Sequence, residues 1–205
     1  KSYSINAGDY FSGDFQYLTF TNDHDGGARN GNSFYRNIRL FEKANTGEVT
    51  SVLNQEQHLT LFSIESYGGA GQDRGGKPLL SQRNQQLELS GNTWKKFDLG
   101  GYEVTKNTVL EFDFQSTRQT EISGIGFDND NRIGQSDTFK LSGWQKWGID
   151  AFDNYKVNSG WKTYSINAGD YFSGDFQYLT FTNDDDGGGN GNSFYRNIRL
   201  FEQAN

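Results

Sequence analysis

Hydrophobic and polar positions alternate over short distances through most of the chain, the pattern of a β-strand with one face inward. In TVLEFDFQS, Leu110, Phe112 and Phe114 alternate with Glu111 and Asp113. QLELSG, EISGIGF, TFKLSG, KTYSINAG, QYLTFTN and FYRNIRLFE read the same way. Between them lie SYGGAGQDRGGK, DNDNRIGQSD and DNYKVNSG, clusters of the residues that tolerate tight turns. No segment carries an apolar stripe of helical period with capping residues at its ends. The pattern predicts an all-β protein: many short strands in a two-sheet β-sandwich, a jelly roll.

The chain also repeats itself. Lys1–Glu42 and Lys162–Glu202 are the same text except at Ser2/Thr163, at His24/Asp185 and around Ala28-Arg29/Gly189. A spacing near 160 residues is far longer than the roughly 20–50 of solenoid repeats. It reads instead as the tail of one domain followed by a complete second one. Residues 1–42 are then a C-terminal remnant whose strands need a partner sheet, 43–54 a linker, and 55–205 the complete module. Because both tails present one surface, the first is a candidate for strand exchange with another molecule, giving a homo-oligomer.

Composition narrows the function. Aromatic residues make up 16% of the 205, and Gly 26 against a single Pro, which suits a turn-rich folded protein. The net charge of −7 repels nucleic acid and anionic membrane surfaces. No apolar run reaches the roughly 18–20 residues that span a bilayer. Neither an initiating Met nor a leader-like segment opens the chain, so it reads as a mature or excised piece. Without Cys, and with His24 and His58 as its only histidines, the chain has no soft metal site. Its oxygen-rich loops suit a hard cation, calcium above all.

The loops that could hold one are acidic and glycine-rich. NDDDGGGNGN contains Asp184, Asp185 and Asp186, and three consecutive acids repel one another unless a cation compensates. In the first copy Asp185 is replaced by His24, whereas Asp184 and Asp186 match Asp23 and Asp25. The alternating pairs are therefore the expected ligands, and Asp185 the outward-facing position. FDNDNRIGQSD offers Asp128 and Asp130, with Asp137 beyond, as either ligands or turn formers. YGGAGQDRGG offers Asp73, with Glu65 on the strand before it. None of these matches the EF-hand loop, which needs a glutamate at its twelfth position.

The run FTNDDDGGGNGNSFYRNIRLFE resembles the closing strand–loop–strand of calcium-dependent carbohydrate-binding modules, notably families 36 and 60. LEFDFQSTRQTEISGIGFDND is similar to modules attached to secreted bacterial polysaccharide-degrading enzymes. The resemblance implies a β-sandwich in which a loop calcium bonds sugar hydroxyls directly, chiefly on xylan, with Asp184 and Asp186 as the positions carried over. It also implies an extracellular location and a role in bringing an attached enzyme to its polysaccharide. Asn183 and Asn190 flank the acids and complete the expected ligand-binding set on that loop.

Planar aromatic rings stack on the apolar faces of pyranoses. GWQKWG sets Trp144 and Trp147 beside glycines, with Tyr155 downstream. Either Trp144 or Trp147 is the expected platform, and Trp94 and Trp161 the expected core members. Nothing marks a catalytic carboxylate pair among Glu65, Glu88, Glu111 and Glu121, and no nucleophile elbow or histidine triad is present. The expectation is a binding protein, not an enzyme.

Overall fold

The computed structural model describes residues 64–203 apart from 76–77 and 82–84, together with Ile5, Tyr10, Leu59 and Leu61. The chain divides into two compact units, Lys1–Glu42 and Lys43–Asn205, and the fold below is that of the second. Asp23, Asp25, the repeat remnant apart from Ile5 and Tyr10, the strand exchange built on it and the 43–54 linker all lie outside the described residues.

Ten strands form two five-stranded sheets: β1 (Ile64–Ser66), β2 (Leu79–Ser81), β3 (Gln86–Ser90), β4 (Thr93–Val104), β5 (Thr108–Gln115), β6 (Ile122–Asp128), β7 (Thr138–Ser142), β8 (Lys162–Asn167), β9 (Gly174–Asp184) and β10 (Asn192–Glu202). The first sheet runs β1-β4-β9-β6-β7 and the second β2-β3-β10-β5-β8. Every pairing within them is antiparallel. From β3 onward the chain passes back and forth between the sheets, except at the β6–β7 step within the first, so this unit is a β-sandwich, as the alternating pattern predicts.

The inward faces make the core. Leu110, Phe112 and Phe114 of β5 are fully buried while Glu111 and Asp113 between them are only half covered. Phe181 of β9 meets Tyr195 of β10 at 5.2 Å between ring centroids, which locks one sheet onto the other. The Tyr195 hydroxyl donates to the carbonyls of Gly124 and Thr182, so its polar end is satisfied inside the core.

The longest strand, β4, breaks the simple alternation. Lys95 and Lys96 are buried: Lys95 Nζ pairs with Asp73 at 2.5 Å, and Lys96 Nζ lies 4.1 Å from the centre of the Tyr178 ring. A register shift between Asp98 and Tyr102 then bends the strand around Gly100 and Gly101, both at positive φ. At the opposite end, β4, β9, β6 and β7 finish or start side by side, and the loops that join them to neighbouring strands gather there.

Candidate functional site

β9 ends at Asp184 and β6 begins at Ile122, with Ile122 and Asp184 as register partners. One residue earlier, the Glu121 N–H donates to the Asp184 carbonyl at 2.8 Å, so the ladder carries Glu121 alongside Asp184. The β9–β10 loop then folds back and brings Asp186 over both. Carboxylate oxygens of Glu121, Asp184 and Asp186 all lie within 4.8 Å of one another. Among the described residues no other set of acids or histidines converges in this way.

The loop holds its shape through Asp185. Its Oδ2 accepts the Gly191 N–H at 2.5 Å, and its carbonyl accepts the Gly189 N–H at 3.3 Å. Gly191 admits no side chain, because a Cβ there would stand 2.6 Å from Thr120 Cγ2 and 2.8 Å from the Gln119 carbonyl oxygen. Asp185 is therefore buried and turned inward, contrary to the outward position expected for it. With that carboxylate spent on the backbone, Asp184 and Asp186 are left to face Glu121.

Electrostatics marks the cluster as incomplete. Glu121 is 5% exposed, and its Oε2 has no hydrogen-bond partner. Burial, then the neighbouring Asp186, push its carboxyl above the ordinary range. Burial raises Asp184 as well; a hydrogen bond from Trp94 Nε1 at 3.4 Å works in the other direction. Three acids so placed either share a proton or hold a cation. The donors are all carboxylate oxygens and one of them is orphaned, which fits a hard divalent ion such as calcium.

Aromatic residues gather at the same end. Trp94 is buried in the core as expected, and Trp147 packs edge-on against it with centroids 5.5 Å apart. Trp144 is 65% exposed. Its neighbour Gln145 donates its N–H to the Glu121 carbonyl at 3.1 Å, and a Cβ on Gly143 would collide with that oxygen at 2.2 Å. The hairpin end that carries Trp144 is thus fastened directly to the acidic cluster.

Several expected site residues do other work. Asn183 is fully buried; its Nδ2 donates to Gly91 and Gly191 carbonyls and its Oδ1 accepts from Ser193 Oγ, so no atom is left for a ligand. Tyr155 is buried too, its hydroxyl bound to Gly160 and Ser116, and its ring packs on Phe114 at 4.8 Å. Trp161 is half-buried outside the core, under the Arg196 guanidinium at 3.9 Å. In the middle loop, Asp128 Oδ1 accepts the N–H groups of Asn129 and Asp130, and Asp130 Oδ1 accepts that of Arg132. Those two acids close their own turns and do not converge on a common point. Asp73 is committed to Lys95. Asn190 is exposed, with its Nδ2 on the Gly188 carbonyl.

Glu121 is the member that sequence reasoning left out of the cluster. It sits sixty-odd residues before Asp184, and only the β6–β9 pairing brings the two together.

No protein-family model and no curated protein sequence matches the chain. Among solved structures it is similar to the glycoside hydrolase domain of Endo-D from Streptococcus pneumoniae R6, with a TM-score of 0.40 and 10% identity. That likeness covers 62% of this chain and 20% of the Endo-D chain. It is similar to a family 30 carbohydrate-binding module (TM-score 0.39, 18% identity, 62% of this chain and 72% of that one). A family 29 module complexed with cellulohexaose is also similar (TM-score 0.35, 12% identity, 67% and 89%).

Proposed function

We propose that the second unit is a non-catalytic carbohydrate-binding module, with calcium held by Glu121, Asp184 and Asp186 and Trp144 as the sugar platform. One observation carries the reading: an indole 65% exposed stands on a segment hydrogen-bonded to Glu121, whose buried Oε2 lacks a partner. An exposed indole presents a flat apolar face with a polar N–H at its edge, and a sugar ring is a neutral, flat-faced ligand that fits it. A calcium ion at the cluster would offer its open coordination positions to vicinal sugar hydroxyls. The reading extends to a secreted setting, in which the module brings an attached polysaccharide-degrading enzyme to a xylan-like or other plant or algal glycan.

Affinity electrophoresis through gels containing xylan, β-glucan or galactan, with calcium or with excess EDTA, tests this. The expected result is retardation in at least one gel that EDTA and Trp144→Ala both abolish. Free migration in every gel at millimolar calcium would overturn the carbohydrate reading. Retardation that survives EDTA, with a lowered melting temperature, would reduce the ion to a structural role.

A further inference from the structure

Two side chains of the β9–β10 loop precede a glycine: Asp186 before Gly187 and Asn190 before Gly191. Both pairs invite one reaction. A glycine has no Cβ to shield its amide nitrogen, which attacks the side-chain carbonyl carbon of the residue before it and closes a five-membered succinimide. From asparagine the ring closes with loss of ammonia; from aspartic acid the carboxyl OH and the amide hydrogen leave together as water. Water then opens the ring at either carbonyl, giving aspartate or isoaspartate, in which the main chain runs through Cγ. In a flexible peptide the amide reacts faster than the acid, so the sequence alone marks Asn190.

The structure reverses that order. The Gly191 N–H is held by Asp185 Oδ2 at 2.5 Å, and the Gly191 carbonyl accepts the Gly91 N–H at 2.9 Å. Gly191 is also buried against Thr120 and the Gln119 carbonyl, so its nitrogen is not free to turn onto Asn190. Asp186 and Gly187, by contrast, are both exposed in a turn, and the Gly187 N–H makes no hydrogen bond among the described residues. Asp186 also lines an open surface cavity of about 330 Å³ with Arg74, Gly75 and Asn92, so water reaches the residue. Its carboxylate is engaged only in the acidic cluster, facing Glu121 and Asp184. Gly187 borders the same cluster: a Cβ there would stand 2.9 Å from Glu121 Oε1.

We propose that Asp186–Gly187 is a self-modification site, at which Asp186 converts to isoaspartate and calcium in the adjoining cluster holds the conversion back. The inference rests on the calcium reading above. An ion bound by Glu121, Asp184 and Asp186 holds the carboxylate oxygens that ring closure must turn and release. The loaded protein therefore reacts only through its ion-free fraction. Isoaspartate adds one methylene to the main chain and moves the carboxylate, so the converted loop no longer aims an acid at Glu121. The site ages fastest where it is least occupied.

The test ages the whole chain for several weeks at physiological temperature and neutral pH. One sample is kept in EDTA and one in calcium at about ten times the dissociation constant found by titration calorimetry. Trypsin separates the two copies of the loop, because it cuts after Arg29 in the first and finds no Lys or Arg between Lys162 and Arg196 in the second. Isoaspartyl methyltransferase labelling and peptide fragmentation then locate each product. The expected result is isoaspartate at Asp186 forming about tenfold faster in EDTA, with Asn190 still an amide. The modified fraction should bind calcium about tenfold or more weakly. Asp185→Ala, which frees the Gly191 N–H, should let Asn190 deamidate, and Asp185→Asn should not. Deamidation of Asn190 ahead of Asp186 in the unaltered chain, or an intact Asp186 in EDTA, would overturn the site. Equal conversion of Asp186 with and without calcium, in a chain that binds the ion, would overturn the calcium gate alone. A chain that binds no calcium in the titration would overturn the gate together with the reading it rests on.

Discussion

Asp185 Oδ2 accepts the Gly191 backbone N–H at 2.5 Å, so the middle acid of three fastens the loop that presents the other two. Removing that acceptor strands a buried N–H. Asp185→Ala should therefore cost about 1–3 kcal/mol in urea unfolding, and it should also weaken calcium binding by letting Asp186 drift from Glu121. Asp185→Asn retains an acceptor and should recover most of the stability. Equal losses in the two variants would show that charge, not the hydrogen bond, matters at this position.

Glu121 and Asp184 are both held above the ordinary carboxylate range by burial. The folded state then binds protons more readily than the unfolded one, so cation-free stability should rise as pH falls from neutral towards about 4.5. Saturating calcium compensates the same charges and should flatten that slope. Asp113 acts oppositely and lower on the scale: burial would raise it, but hydrogen bonds from Thr163, Asn197 and Arg196 outweigh burial and hold it down. Its contribution is lost only below about pH 4, where stability should turn down again. Urea midpoints measured in EDTA across this range check the shape; a steady fall from neutral pH would contradict it.

Trp144 supports no core packing of its own. Trp144→Ala should leave the melting temperature within about 2 °C of the unaltered chain. Glycan affinity should fall by about 2 kcal/mol, as for a buried aromatic anchor at an interface. Trp147→Ala, which removes the ring packed on Trp94, should instead show up first in stability.

Asp73 tests the difference between an acid that holds an ion and one that holds a lysine. Its pair with Lys95 is almost wholly buried, with the two side chains 6% and 8% exposed. Asp73→Ala strands that ammonium and should destabilise the protein by about 3–5 kcal/mol. Calcium stoichiometry by titration calorimetry at a temperature where the variant is folded should not change.

Seven of the ten strands were legible in the sequence: β5 and β8 sit with one face on the core and one towards solvent, whereas β6 and β7, buried on both faces, showed through their short runs between turn clusters. β4 was not. Its consecutive lysines look like a solvated stretch, and both are buried only because Asp73 and Tyr178 wait in neighbouring segments. Glu121 was equally hidden, since strand pairing and not spacing brings it to Asp184. Trp161 misled for a related reason: an indole can be covered by a guanidinium on the sheet's outer face as well as by a core. Repulsion among the three acids was readable, but which of them turns inward depends on the bare backbone at Gly191.

Asp186 stands at a crossing: its carboxylate faces Glu121, and the same residue lines a surface cavity beside Arg74, Gly75 and Asn92. Occupants of the two places consequently share a thermodynamic account, and whatever factor one adds to the other's affinity is returned in equal measure. Under the proposed function, hold on a glycan would then follow the calcium level of the surroundings, tightening where the ion is plentiful and slackening where it is scarce.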